Sequence, residues 1–234
     1  MFGDYWSWRG PQWMARLAVS LDDVAAPIER TIEVDATLSA FDLHAVLQVA
    51  FGWNDSHLHE FRPGSALRPV EWQGDSHVVE LVVTDTYDLE RDYGWWIEAL
   101  DEHEVSIGQL LAIGRSSAEY AYDFGDNWRH SIHMVEAFEP SREMPRARIV
   151  HAFGASPLDD VGSTPGLQEL HQALAEPDNP NHSDAWDEVR FRFTEHSIGY
   201  DVAAKKLVTG ALDTSELNGP LLRQFGLMIP AFGD

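Results

Sequence analysis

Apolar and polar residues alternate along several stretches of the chain, and this period of two residues predicts β-strands. The alternation is clear over residues 13–21 and again over residues 28–34, and the connection between them contains Asp22, Asp23 and Pro27. These two segments are therefore predicted to pair as a hairpin. The same pattern predicts further strands over residues 56–61, 77–84, 146–153 and 189–194, and a second hairpin over residues 120–137.

A helical period of apolar residues replaces this alternation over residues 40–51. Ser39 and Asp42 fit a capping box, with Asp42 where Glu is more usual, and Gly52 stands where a left-handed C-terminal cap belongs. The apolar face consists of Leu43, Val46, Leu47 and Ala50. Shorter helices are predicted over residues 106–111, ended by Gly114, and 167–175. The pattern as a whole predicts an α+β fold, with a mostly antiparallel mixed sheet and a few helices packed on it.

The chain divides into three parts by pattern. Residues 13–212 are predicted to form a single domain, residues 1–12 form an aromatic leader, and residues 213–234 form a weakly patterned tail. Exposed indoles in a row would favour aggregation. We therefore expect Trp6 and Trp8 of the leader to pack against the domain or against a partner.

Composition excludes several classes of function. The 234 residues include 16 Lys plus Arg against 39 Asp plus Glu, a formal net charge of −23, and no cysteine. Disulfides, thiolate catalysis and cysteine zinc sites are therefore excluded. So acidic a chain is expected to repel nucleic-acid backbones and anionic membrane surfaces. No secretory signal or membrane-length apolar run is present, so a cytoplasmic location is expected.

The second hairpin carries an unusual concentration of polar groups among aromatic residues. A three-residue loop would put the aromatic side chains on one face, whereas a four-residue loop would place Asp123 opposite His130. Periodicity cannot choose between these registers. Burying an ionised carboxylate or an unpaired imidazole is costly. We therefore predict that Asp123 and His130 point into a polar cleft and act there in ligation or proton transfer, as the catalytic residues of an enzyme if it is one.

Two other segments offer metal ligands. His57 and His59 are two residues apart in a predicted strand, so both imidazoles are expected on one side of it, where they can converge on a metal ion. A surface or hydrogen-bonded role is the alternative. Asp159 and Asp160 lie on a loop that would complete such a site, or that is simply a solvated turn. The expected lining of the cleft is Trp53, Tyr122 and Trp128. His44 either leans toward this cleft or caps the core.

Taken in order, these segments resemble the plasmid pRiA open-reading-frame-three-like family over about residues 13–186. The resemblance implies an α+β domain and little settled function. Some members carry the label of insertion-sequence passenger, TnpR-like, which suggests a recombinase; the acidic charge and the lack of a basic helix-turn-helix argue against that activity. The usual family loop Pro-Pro-Glu-Asp-x-Gly-Gly keeps a carboxylate pair here but loses one Pro and one Gly. The matching segments are Leu43-His44, Gly52-Trp53, residues 57–61, residues 122–130 and residues 157–162.

Two hypotheses follow. In the first, the cleft binds a divalent metal or a small ligand, as in a metal-dependent hydrolytic or acid/base enzyme. In the second, the protein is a non-catalytic interaction module, such as an accessory protein of a plasmid or mobile element. The polar cluster is then structural, and the acidic surface and the leader bind a protein partner. The first requires the histidines and carboxylates to converge on an open cleft, and the second requires them to be scattered or sealed.

Overall fold

The computed structural model describes residues 13–64, 67–72, 75–85, 97–154, 157–194 and 214–228. Strands and helices alternate irregularly along these segments. The strands are β1 (Met14–Leu21), β2 (Glu29–Asp35), β3 (His59–Pro63), β4 (Leu67–Trp72), β5 (Asp75–Thr84), β6 (Ile97–Asp101), β7 (Ser117–Tyr122), β8 (Trp128–Phe138) and β9 (Ala147–Phe153). The helices are α1 (Ala40–Phe51), α2 (Ile107–Ile113), α3 (Ser163–Ala175), α4 (His182–Thr194) and α5 (Thr214–Phe225).

The strands form one mixed sheet in the order β4-β5-β3-β7-β8-β1-β2-β9, and β6 pairs with β5. The β5–β6 pair is parallel, while the pairs along the main path are antiparallel. The predicted hairpin of β1 and β2 is present, with Leu17 opposite Ile32. The prediction of a single α+β domain with a mostly antiparallel sheet is confirmed.

The two faces of the sheet differ in chemistry, as alternating strands require. Leu17, Ile32 and Ile132 are buried on the face that packs against the helices, where they join Leu43 and Leu47 of α1 in the main core. The opposite face carries rows of ion pairs in register across the strands. Glu33, for example, lies between Arg16 at 2.7 Å and Arg148 at 2.6 Å. The helices and the core therefore cover one face of the sheet, and the charged face remains open.

Helix α1 has the boundaries that its sequence predicts. Ser39 and Asp42 form both hydrogen bonds of the capping box, and Gly52 adopts a left-handed conformation with φ of 74°. A buried cation then completes the C-terminal end, because Arg30 Nε donates to the carbonyl of Ala50 at 2.6 Å. Burial lowers the pKa of Arg30 to about 10. The direction of the chain after α1 is thus set by local capping and by one long-range bond.

The predicted strand over residues 189–194 is wrong, because these residues belong to helix α4. Val189 is buried one helical turn after Ala185, and both pack against Ala173 and Leu174 of α3. The residues alternate as in a strand, but their packing against α3 stabilises a helix instead. The strand predicted over residues 56–61 also begins later, at His59.

The C-terminal region beyond residue 212 contributes helix α5 to the same body. Leu221 is fully buried in the main core. The amide of Asn218 bonds both backbone groups of Ile149, at 2.7 Å and 2.9 Å, so it covers part of the outer edge of β9. Residues 1–12 lie outside the described part of the chain, so the expectation for Trp6 and Trp8 stays a prediction. Within the described part, no helix has both the length and the apolar character that crossing a bilayer requires.

Candidate functional site

The hairpin of β7 and β8 has a five-residue loop, not the three or four residues that the sequence suggested. Tyr122 pairs with Trp128 and Tyr120 pairs with His130. The longer loop forms because Asp123 takes a left-handed conformation, with φ of 56°, and its Oδ1 accepts hydrogen bonds from the amides of Gly125 and Asp126. Five residues have the same parity as three, so the aromatic side chains stay on one face and Asp123 leaves the strand.

Three predicted site residues converge at this end of the sheet. The Nε2 atom of His57 lies 3.3 Å from Oδ1 of Asp160 and 3.6 Å from Oδ2 of Asp123. One ligand atom from each of the three residues lies within 4.8 Å of the other two. We call these three residues the His57 cluster. Asp123 is buried and Asp160 is exposed, so the cluster lies at the boundary between the interior and solvent.

The spacing of the His57 cluster suits a metal ion. Nitrogen and oxygen ligands bind zinc-like ions at about 2.0–2.2 Å, so two ligands of a tetrahedral ion are roughly 3.4 Å apart. Both distances from His57 are close to that value. His57 Nε2 is also a buried polar atom without a hydrogen bond. Such an atom loses its hydration without compensation, and a bound cation would restore it.

Asp159 does not point into the His57 cluster but fastens its loop. Its Oδ1 accepts a hydrogen bond from the hydroxyl of Tyr122 at 2.9 Å, and its Oδ2 accepts one from the amide of Asn54 at 3.0 Å. Burial raises the pKa of Asp159, an effect that these two hydrogen bonds oppose. Burial also raises the pKa of Tyr122, which therefore keeps its hydroxyl proton for this bond. Asp159 is thus placed as an anchor of the loop.

A second carboxylate joins the hairpin loop to the same segment. Asp126 Oδ2 accepts a hydrogen bond from the amide of Gly162 at 3.1 Å. Gly162 has φ of 87° and is the residue before helix α3, and because glycine has no side chain it cannot cap the helix itself. Asp126 therefore supplies from another loop an acceptor at this helix start. Asp160, two residues earlier, is held near the hairpin by this contact.

His59 belongs to a different group of side chains. Its ring stacks on that of His44 with centroids 3.5 Å apart, and its Nε2 lies 2.7 Å from a carboxylate oxygen of Glu102. The prediction that His57 and His59 face one site is wrong, because β3 begins only at His59 and His57 precedes the strand. The structure does not bring His59 to the His57 cluster.

His130 is also separate, and the predicted cleft shared with Asp123 is wrong. Its side chain is fully buried, with Nδ1 3.2 Å from the carbonyl of Tyr120 and Nε2 3.3 Å from the indole nitrogen of Trp53. Because the carbonyl accepts and the indole donates, Nδ1 carries the proton and the ring is neutral. Burial lowers the pKa of His130 to about 3.

The predicted aromatic lining forms a buried layer under the His57 cluster. Ring centroids of Trp53 lie 5.3 Å from Trp128 and 5.1 Å from Tyr122, and Tyr122 lies 5.7 Å from His57. Trp53 and Trp128 are both buried. They therefore pack behind Tyr122, which contacts His57, and present little surface to a ligand.

Sequence reasoning missed the extent of the polar network around His44. The ring bonds the hydroxyl of Tyr120 through Nδ1 and Asp55 through Nε2, each at 2.8 Å, and Gln48 donates to the same hydroxyl at 2.9 Å. Burial, followed by the neighbouring His59, lowers the pKa of His44 to about 4. The available signal was the spacing of His44 and Gln48, one helical turn apart beside the apolar face of α1.

Comparisons with known proteins support the resemblance seen in the sequence. The family model described as plasmid pRiA4b ORF-3-like protein matches residues 14–202. Uncharacterized protein y4hQ of Sinorhizobium fredii is 34% identical over 175 residues, which are 73% of this chain and 78% of that protein. A crystal structure of a protein of unknown function from Methanosarcina mazei Go1 has a TM-score of 0.63 at 19% identity, over 77% of this chain and 91% of that one. The structural match shows a shared fold, and none of these descriptions carries the TnpR-like label.

Proposed function

The chain belongs to the plasmid pRiA4b ORF-3-like protein family, and from this premise we propose that it binds a divalent metal ion through His57, Asp123 and Asp160. One observation carries the proposal: the buried Nε2 of His57 has no hydrogen bond and lies between two carboxylates. Two carboxyl groups and an imidazole nitrogen so close together offer three ligand atoms to one cation, which would offset the repulsion between the carboxylates.

The mixed ligand set favours transition ions. Calcium takes six to eight oxygen ligands, and magnesium keeps oxygen ligands and several waters. An imidazole nitrogen with two carboxylate oxygens suits zinc, manganese, iron, cobalt or nickel. The geometry therefore favours a zinc-like ion over an alkaline-earth ion.

Three protein ligands would leave at least one coordination position open. That arrangement is typical of catalytic zinc sites, whereas structural sites are closed by four protein ligands. A bound ion would supply Lewis-acid chemistry, which polarises a carbonyl or phosphoryl oxygen or activates water. Asp160 is exposed, so the open side faces solvent and a ligand can reach it. This supports a metal-dependent hydrolytic activity as the finer form of the proposal.

A structural role is the second candidate, and specific contacts favour it for two residues. His59 is sealed against His44 and Glu102, and His130 bonds a backbone carbonyl inside the core. These histidines are therefore assigned to a buried hydrogen-bond network that fixes the sheet against α1. The His57 cluster is not sealed in this way, so the metal proposal does not need them.

The test is a calorimetric titration of untagged protein with Zn²⁺ and Mn²⁺, for the wild type and the variant His57→Ala. We expect one ion per chain in the wild type and an affinity at least about tenfold lower in the variant, as for the loss of groups that support a metal site. His133→Ala is the matched control, since it removes an exposed imidazole of β8 far along the sheet from the cluster. Equal affinities of the wild type and His57→Ala would contradict the proposal.

A further inference from the structure

The three residues of the His57 cluster share a feature of chain order. Each of them directly follows a member of one hydrogen-bonded group: His57 follows Ser56, Asp123 follows Tyr122, and Asp160 follows Asp159. These three segments come from distant parts of the sequence. Their meeting point is the hydroxyl group of Tyr122.

Both hydrogen-bonding capacities of this hydroxyl are used. It donates to Oδ1 of Asp159 at 2.9 Å and accepts from the backbone amide of Ser56 at 3.2 Å. The side chain of Tyr122 is fully buried, so water does not compete for these bonds. The ring also contacts the imidazole of His57 edge to face, with centroids 5.7 Å apart. Tyr122 thus bonds Ser56 and Asp159, the residues that precede His57 and Asp160. In sequence it directly precedes Asp123, the third ligand.

Two of these ligands lie on segments without regular structure. His57 lies between α1 and β3, and Asp160 lies on the loop before α3. One backbone bond at the end of the β3–β7 ladder, from the amide of Asp123 to the carbonyl of Leu58 at 2.9 Å, reaches the residue after His57. The relative position of the two segments also depends on side-chain bonds, including that of Asn54 to Asp159. A hydroxyl that bonds both segments at once has a direct effect on the distance between the two ligands.

We propose that Tyr122 is the positioning residue of the metal site, whose hydroxyl holds the segments of His57 and Asp160 in place around Asp123. This inference rests on the proposed function, and it adds the element that prepares the site before an ion arrives. Outer groups of this kind commonly change metal affinity by about 10–100-fold. Tyr122 does not coordinate the ion in this account, because its hydroxyl is already occupied on both sides.

The deciding variant is Tyr122→Phe, which removes one oxygen atom, and Tyr120→Phe is its matched control. Tyr120 is in the same strand and equally buried, but its hydroxyl bonds His44 and Gln48. Both variants lose a buried hydroxyl, so both are expected to lower the melting temperature. Only Tyr122→Phe should lower the affinity for Zn²⁺, by about 10–100-fold. Asp159→Asn weakens the hydrogen bond that Asp159 accepts from the Tyr122 hydroxyl, and it should lower the affinity for Zn²⁺ by a smaller factor.

A second measurement separates this inference from the proposed function. In metal-free protein, the NMR amide signals of His57 and Asp160 should both move in Tyr122→Phe. They should move less in Tyr120→Phe, because His44 and Gln48, the partners of Tyr120, contact the same loop at Asp55. If these signals move while the wild type binds no ion, the positioning role stands and the proposed function fails. If Tyr122→Phe and Asp159→Asn keep the wild-type affinity, or if the His57 and Asp160 signals stay unchanged in Tyr122→Phe, the inference is overturned.

Discussion

Two buried histidines make the folded state sensitive to acid. Burial lowers the pKa of His130 to about 3 and that of His44 to about 4, whereas a histidine in an unfolded chain titrates near 6.5. Between pH 6.5 and these lower values, the unfolded chain therefore binds more protons than the folded one. Stability is fully present above about pH 6.5 and decreases as the pH falls through this window.

His130→Gln should reduce this pH dependence. The variant is expected to be less stable than the wild type at neutral pH, because it loses the geometry of two buried bonds. Its unfolding free energy should then fall less steeply from pH 6 to pH 4, by up to about 1.4 kcal/mol per pH unit. Urea unfolding at several pH values measures this slope. His133→Gln, which changes an exposed histidine of the same strand, should keep the wild-type slope. Equal slopes for His130→Gln and the wild type would refute the assignment.

At the residue scale, the sequence identified His57, Asp123 and Asp160 as candidates but did not distinguish them from His59 and His130. His57 was a candidate through its spacing to His59 in a predicted strand, Asp123 through its place in the hairpin, and Asp160 through its loop. His59 and His130 were not separable from them, because the start of β3 and the length of the hairpin loop decide where each ring points. Both depend on long-range contacts, such as that of the Asp123 amide with the carbonyl of Leu58.

The junction of the 157–162 loop with helix α3 is the element that limits the position of Asp160. A Cβ atom on Gly166 would lie 1.8 Å from the carbonyl oxygen of Val161, so this backbone contact requires glycine. Gly219, within helix α5, has only the flexible end of Arg223 near its Cβ position, at 3.4 Å. Gly166 is therefore required by a close backbone contact, whereas Gly219 is not.

Gly166→Ala should therefore be much more disruptive than Gly219→Ala. Gly166→Ala must displace the loop, so we expect a lower melting temperature and a weaker affinity for Zn²⁺. Gly219→Ala should change stability by less than about 1 kcal/mol, because the preference of alanine for a helix interior is opposed by the steric effect of the following Pro220. Thermal unfolding and calorimetry on both variants measure this. A Gly166→Ala protein with wild-type stability and affinity would show that the close contact does not constrain the site.

At the element scale, local signals decided which predictions held. Helix α1 has its capping box and its C-terminal glycine in sequence, and its bounds are as predicted. Residues 189–194 have no such signal of their own, and their packing on α3 makes them helical. The hairpin loop is only partly encoded by local signals. Asp123 and Asn127 both have positive φ, a conformation that Asp and Asn permit but do not require.

The C-terminal helix completes the molecule as a whole. Leu221 fills the main core, and Asn218 covers an edge of β9 that would otherwise offer free backbone groups. Deleting residues 213–234 should lower the melting temperature and favour self-association through the exposed edge. Differential scanning calorimetry and light scattering test both effects. A monodisperse truncated protein with an unchanged melting temperature would contradict this role of α5.

The net charge of −23 also belongs to the whole molecule. Neutralising DNA phosphates requires clusters of Lys and Arg, and the Arg side chains on the open face of the sheet are paired with carboxylates, as for Arg16 and Arg148 with Glu33. We expect no binding to duplex DNA in about 150 mM salt. A gel-shift assay with submicromolar affinity under these conditions would contradict the expectation.

At this scale, composition and periodicity predicted the α+β class but not the order of the strands. Only neighbouring hairpins such as β1–β2 are encoded locally, in the turn and the alternation. The pairing of β1 with β8 and of β2 with β9 joins segments about a hundred residues apart, and it follows from which faces can be buried together. The convergence of the His57 cluster depends on that same order, because β3 must lie beside β7.

The most direct test of the central claim is a crystal structure of the untagged protein soaked in Zn²⁺, with anomalous difference maps collected at the zinc edge. We predict one strong peak among Nε2 of His57, Oδ2 of Asp123 and Oδ1 of Asp160, at about 2.0–2.3 Å from each. A peak confined to surface histidines elsewhere, or a cluster that stays empty at saturating Zn²⁺, would contradict it.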